Sequence, residues 1–223
     1  MQFTGQVIFP LKNDLSYEGD FIRPGFVTLA QELHVPRRWF GRFVVGNFNA
    51  NRYGADLTFI RPLKNPRWET AFNAGLTGSS YFYHQQWRTS AIDRLTWFVR
   101  VGHYYPRFSL QFDVSYGRYI NRDYGFRADC TRHFGATSVG FYAMHSGGNL
   151  NGGFHFAAPL PPRKRSRKHA LRIVPPRYFD WEYNAGTEFY LGRYYETRPD
   201  QNRSQRFINP LFIKNALLKP SQK

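Results

Sequence analysis

The sequence predicts an all-β fold: an antiparallel, up-and-down, membrane-spanning β-barrel of about ten strands, whole or part of a larger barrel, followed by an irregular basic tail. Three observations predict it. Stretches in which apolar and polar residues alternate recur through residues 1–160. Aromatic residues make up 19% of the chain, yet no apolar run approaches the ~18 residues of a spanning helix. The polar positions of the alternating stretches carry glycine and charge, which a water-lined wall accepts and a dry core does not.

The clearest stretch is 107–117. Phe108, Leu110, Phe112, Val114 and Tyr116 alternate with Ser109, Gln111, Asp113, Ser115 and Gly117. Successive side chains of a strand point to opposite faces, so this is a strand with one apolar and one polar face.

The other elements follow in chain order. Residues 2–10 read as a first strand, and a polar loop closes at Pro24-Gly25. Phe26 to Val35 is a second strand, Pro36-Arg37-Arg38 a turn, Trp39 to Asn49 a third strand and Tyr53 to Arg61 a fourth. After Lys64-Asn65-Pro66, Trp68, Thr70, Phe72, Ala74 and Leu76 alternate with Glu69, Ala71, Asn73, Gly75 and Thr77. Gly78 to Ser90 reads as a polar and aromatic loop carrying Tyr81, Tyr83 and Trp87. Leu95, Trp97, Val99 and Val101 then alternate with Arg94, Thr96, Arg100 and Gly102. Strands are expected over Tyr124 to His133 and Val139 to His145, and Phe154 to Phe156 is the last before Pro159. Lengths of about 9–12 residues suit tilted strands crossing a bilayer and exceed the ~5–6 usual in soluble sheets.

One segment is repeated. Gly46-Asn-Phe-Asn-Ala-Asn-Arg-Tyr-Gly54-Ala-Asp56 resembles Gly117-Arg-Tyr-Ile-Asn-Arg-Asp-Tyr-Gly125-Phe-Arg-Ala-Asp129. Each copy ends one strand, turns through Asn and Arg, and opens the next strand with Tyr-Gly. Such repetition fits a wall built by hairpin duplication.

Residues 161–223 form a second region. Pro159 to Pro162 stops the alternation, because proline cannot donate to a strand ladder. Tyr178 to Asn184 suits a short strand or a docked segment, and Asn209-Pro210 suits the opening of a short terminal helix. Arg163, Lys164, Arg165, Arg167 and Lys168 form the densest positive run. With a formal net charge of +16 and pI near 10.2, the chain is suited to polyanionic surroundings. The basic run reads either as a solvated tail or as a contact for phosphates of lipid or lipopolysaccharide. It lies in a proline-bounded linker without a docking face, so nucleic acid ranks last and is not expected as a partner.

The single cysteine, Cys130, excludes an internal disulfide framework, and its phase with Phe126 and Ala128 makes it a wall residue. Met1 to Gln6 has neither a basic n-region nor an apolar h-region, so export requires a start upstream.

No catalytic constellation has usable spacing, and there is no phosphate loop, dinucleotide fingerprint or metal-binding motif. The chain reads as non-enzymatic, with no metal and no cofactor. Arg94, Arg100, Arg127, Asp113 and Asp129 fall on polar strand faces and are expected to line a lumen that guides an anionic glycan. Tyr81, Tyr83 and Trp87 could stack on sugar rings. The rival reading is a soluble carbohydrate-binding β-sheet protein.

Four stretches carry a family resemblance: Phe154 to Lys164, Val174 to Tyr183, Tyr195 to Asp200, and Asn209 to Lys214. Together with Asn51-Arg-Tyr-Gly54 and Gly75-Leu-Thr-Gly78, the chain resembles the end of YjbH-like exopolysaccharide proteins. The resemblance implies a barrel in the bacterial outer membrane that serves synthesis or export of an extracellular or capsular polysaccharide. It further implies contact with outer-membrane lipid, lipopolysaccharide, the glycan and other export proteins, and a longer N-terminal portion with a signal peptide. It brings no catalytic residues.

Overall fold

In a computed structural model, residues 1–9, 22–83, 85–160, 176, 178–186, 190–199, 201 and 209–218 are described. Twelve strands form one antiparallel sheet. β1 (Gln2–Ile8), β2 (Arg23–Val35), β3 (Trp39–Asn47), β4 (Arg52–Pro62) and β5 (Trp68–Tyr83) succeed one another. β6 (Gln86–Thr89) folds back on the end of β5 alone. β7 (Arg94–Tyr105), β8 (Leu110–Arg118), β9 (Tyr124–Phe134), β10 (Thr137–Ser146), β11 (Asn149–Pro159) and β12 (Tyr178–Asn184) complete the meander, and α1 (Pro210–Leu218) follows.

The antiparallel all-β meander is as the alternation predicts, with twelve strands where about ten are expected. Closure is a different matter. β1 and β12 each pair on one side only among the described residues, so the sheet is open. With β6 off the path, eleven strands alternate in direction, and β1 and β12 therefore run the same way. They cannot meet as one more antiparallel pair.

The sheet is nevertheless curled, because side chains from β2 and β3 line the same cavity as side chains from β9 and β11. Its burial is the reverse of a soluble sheet. Inward positions are polar and buried: Thr28, Asp56, Asn73, Thr96, Gln111, Asp113, Arg127 and Thr131. Outward positions are large, apolar and exposed: Phe43, Phe72, Val99, Phe112, Phe126, Phe141 and Trp181. Cys130 shares the outward face, half-buried.

Three boundaries differ from the sequence reading. Gly78 to Ser90 is a hairpin rather than a loop: β5 runs on to Tyr83 and β6 returns from Gln86, with Gln85 at φ 62°. Consecutive Ser79-Ser80 and Tyr81-Phe82-Tyr83 break the alternation that betrays a strand. β8 starts at Leu110, because Ser109 sits at φ 52° in the preceding turn and donates its N–H to the Pro106 carbonyl, 3.2 Å away. The strand around Phe154 extends over Asn149–Pro159, well beyond Phe154 to Phe156, and β12 pairs with it where a short strand is expected.

The repeated segment forms two alike hairpin tips. Phe48 N donates to Arg52 O at 2.7 Å, and Tyr119 N to Asp123 O at 2.9 Å. Gly46 and Gly54 face each other at φ 139° and 145°, where a Cβ would strike the carbonyls of Val27 and Leu76.

Candidate functional site: a charge-paired interior crossed by a C-terminal strap

The curled sheet encloses a cavity of about 370 Å³. Period-two side-chain placement puts Arg42, Asp56, Glu69, Arg100, Asp113, Arg127 and Asp129 on its wall from six different strands. Register then pairs them. Arg127 lies beside Asp129 on β9, with Nη2 2.8 Å from Asp129 Oδ1. It reaches across β10 and β11 to grip both carboxylate oxygens of Glu182 on β12, at 2.9 and 2.8 Å. Its guanidinium also sits 3.8 Å from the centre of the Tyr142 ring. Arg100 Nη2 is 3.2 Å from Glu69 Oε1, and its Nε is 4.0 Å from Asp113 Oδ1. Arg42 Nη1 is 2.7 Å from Glu32 Oε1. Asp113 stands directly opposite Asp129, a like-charge pair that Arg100 and Arg127 offset from either side.

The lining carries five carboxylates (Glu32, Asp56, Glu69, Asp113, Asp129) and four guanidiniums (Arg42, Arg100, Arg127, Arg198), together with His155. The chain's large positive excess therefore does not reside on this wall. Rings of Phe40, Phe98, Tyr119 and Tyr194 complete it.

The tail supplies what the strand pattern did not. Residues 190–199 form a strap across the inner face. Asn121 Nδ2 donates to the Tyr190 carbonyl, and Gly192 N donates to Asp123 Oδ2 at 2.7 Å. Ile120 N donates to Arg193 O at 3.1 Å, and Asn49 N to Glu196 O at 3.3 Å. Ile120 and Asn49 occupy equivalent places in the two repeated tips, so the duplication yields a two-point clamp.

Between these points Tyr195 is wholly buried, stacked on Phe48 with centroids 5.2 Å apart. Its hydroxyl donates to Asp56 Oδ2 at 2.9 Å, and Tyr194 donates to Asn73 Oδ1. Asn73 in turn donates to both Asp56 oxygens at 3.0 and 2.9 Å. Burial, and then the Asp56 carboxylate, hold the Tyr195 phenol well above its ordinary range, so it stays a donor. A Cβ at Gly75 would collide with this hydroxyl; glycine makes room for a ring there, not for water.

At the opposite sheet end α1 docks. Asn209 Oδ1 caps it, accepting from Leu211 N at 3.0 Å and Phe212 N at 3.3 Å. Phe212 packs against Tyr104 and His133 with centroids 5.5 and 4.8 Å away. Asn215 Nδ2 donates to Tyr104 Oη at 2.6 Å and Ser109 Oγ at 3.0 Å. Asn215→Ala is expected to cost about 1–2 kcal/mol, read as a lower urea midpoint of the folded protein in detergent.

Of the residues expected at a lumen, Arg100, Arg127, Asp113 and Asp129 line this cavity. Arg94 does not. It shares their face but sits at the start of β7, 3.7 Å from Asp93. Tyr81, Tyr83 and Trp87 lie away on the β5–β6 hairpin. There Trp87 Nε1 donates to Ser80 Oγ at 2.5 Å and its ring meets Phe82 edge-on. Arg163, Lys164, Arg165, Arg167 and Lys168 fall outside the described residues. Strand alternation points to neither Tyr194 nor Tyr195; their local signs are an adjacent tyrosine pair in a basic tail and the stretch Tyr195 to Asp200.

Among the described residues no helix is long and apolar enough to cross a membrane, which does not bear on strands. No group of three or more His, Cys, Asp or Glu side chains could hold a metal ion there. Comparison with protein-family models, curated proteins and solved structures finds no match for this chain.

Proposed function

We propose that this chain forms a membrane-embedded β-wall of the bacterial outer-membrane kind, serving synthesis or export of an extracellular polysaccharide. One observation carries the membrane part: strand after strand exposes large apolar side chains outward while the inward face is polar, ion-paired and buried. Water would penalise that belt, whereas hydrocarbon accepts it. Hydrocarbon also forbids unpaired strand edges. The β1 and β12 edges are therefore completed in the membrane by an odd number of further strands, since the two run the same way.

The polysaccharide part is supported by the YjbH-like resemblance and by a cavity combining aromatic rings with closely spaced donors and acceptors. Arg100 and Arg127 serve there as donors already oriented by carboxylates. Arg94 at the rim would meet anionic glycan or lipopolysaccharide first, and the positive charge of the run at 163–168 suits the same polyanions.

The test is fractionation followed by electrophoresis with and without heating. The reading expects a membrane-bound protein whose band shifts on heating; a soluble monomer obtained without detergent would sink it. Val99→Arg, outward on β7, is expected to cost about 2–4 kcal/mol in a bilayer and to reduce the heat-shiftable fraction. In a soluble protein the same exposed substitution would be nearly silent. For the glycan role, Arg100→Gln should lower secreted polysaccharide at equal membrane abundance, and unchanged secretion would remove that role.

A further inference from the structure

We propose that Arg42, with Phe40 beside it, receives a carboxylate carried on a sugar ring, so that the cavity takes a glycan containing uronic acid. The inference rests on the glycan reading above and names its recognition group.

Phe40 and Arg42 stand two residues apart on β3 and face the cavity. Arg42 bonds through Nη1 alone, to Glu32 Oε1. Its Nε and Nη2 are buried and have no hydrogen-bond partner among the described residues. Those two N–H groups point along one edge of the planar guanidinium, the fork that a carboxylate fills with both of its oxygens. Buried charged donors left without an acceptor cost stability, and a ligand carboxylate at the fork removes that cost.

Arg127 and Arg100 are placed differently. Arg127 uses Nε, Nη1 and Nη2 on Asp129 and Glu182, and Arg100 lies between Glu69 and Asp113. Two carboxylates stand at each, so an arriving anion meets like charge. Arg42 has one, and the Glu32 side chain is 62% exposed and screened by water. Asp56, diagonal to Arg42 on β4, is already held by Asn73 and Tyr195. The strap crosses β2 where Thr28 Oγ1 donates to the Thr197 carbonyl at 3.4 Å, and it adds Arg198 to the lining as a further positive charge.

The sugar ring follows from what lies beside the fork. Across the strands Arg42 continues into Thr58 and Asn73, and Phe40 into Ile60 and Ala71. A polar row and an apolar row therefore run side by side along the cavity wall. That pattern suits a pyranose, which has hydroxyls at its edge and C–H groups on its face.

The experiment measures binding to the full chain in detergent by calorimetry, with trigalacturonate, its methyl ester and acetate. Wild-type protein is expected to bind trigalacturonate at least about tenfold more tightly than the ester or acetate. Arg42→Gln should weaken trigalacturonate binding roughly ten- to a hundredfold and leave the ester unchanged. Arg42→Lys keeps the charge without the fork and should recover only part of that loss. Glu32→Gln, at an exposed position, spares the fold and removes the anion that competes for Arg42, so it should tighten trigalacturonate binding.

Trigalacturonate that binds no better than its ester, or not at all, overturns the carboxylate assignment. Acetate binding as tightly as trigalacturonate overturns the sugar ring. Arg42→Gln that shifts on heating and binds as wild type does overturns the role of Arg42; should that variant not fold, Glu32→Gln without tighter binding does the same. The glycan reading beneath falls separately, when Arg100→Gln leaves secretion unchanged.

Discussion

Replacing Arg127 by methionine is expected to destabilise the folded protein by about 3 kcal/mol, the low end for breaking a buried ion pair from one side. The guanidinium side chain is only 6% exposed. It satisfies Asp129 and both oxygens of Glu182 and covers the Tyr142 ring. Its loss leaves Asp129, at 17% side-chain exposure, without its strongest partner and next to Asp113. Glu182 is 37% exposed and can turn to water, which keeps the effect from the upper end of that range. The measurement is the urea midpoint of the conversion from the heat-shiftable band. Arg127→Met/Asp129→Asn should recover part of the loss, because the second change removes the stranded charge. If the single variant unfolds at the wild-type midpoint, Arg127 does not tie β12 to β9.

What could be read in advance follows from what a period of two encodes. Alternation in 94–102, 107–117 and 124–133 fixes which residues share a face, so Arg100, Asp113, Arg127 and Asp129 are legible as one wall. It does not fix depth along a strand. That is why Arg94, in phase with Arg100, belongs to the rim. Nor does it give register, and the partners Glu69 and Glu182 emerge only when strands are laid side by side.

The parity of the meander was equally hidden. A short hairpin strand, β6, had to be set off the path and a post-proline strand added to it before β1 and β12 could be seen to run the same way. Least legible was the strap. Its Tyr195 meets Asp56 from 139 residues away, and a lone extended segment has no periodicity to announce it. In the sequence the recurring glycines suggest a watery wall. At Gly75 the cause is a close approach of the chain's own tail.

That close approach sets the second large effect. Gly75→Ala places a methyl group where the Tyr195 hydroxyl lies, and the flanking strands β4 and β7 hold the backbone on both sides. The ring has to yield, losing its bond to Asp56 and its stacking on Phe48. Overpacking of this kind costs about 1–3 kcal/mol, and here it falls on the strap, not on the sheet. Limited proteolysis should therefore cut Gly75→Ala near residues 190–199 much faster than wild type, while the heat-shifted band persists. Tyr195→Phe removes the struck oxygen but also the hydrogen bond, so by itself it weakens docking. Combined, the two changes should cost less than their sum, with a coupling of about 1 kcal/mol for groups in direct contact. Strict additivity would mean that Gly75 and Tyr195 do not meet, and the strap would lose its central anchor on the wall.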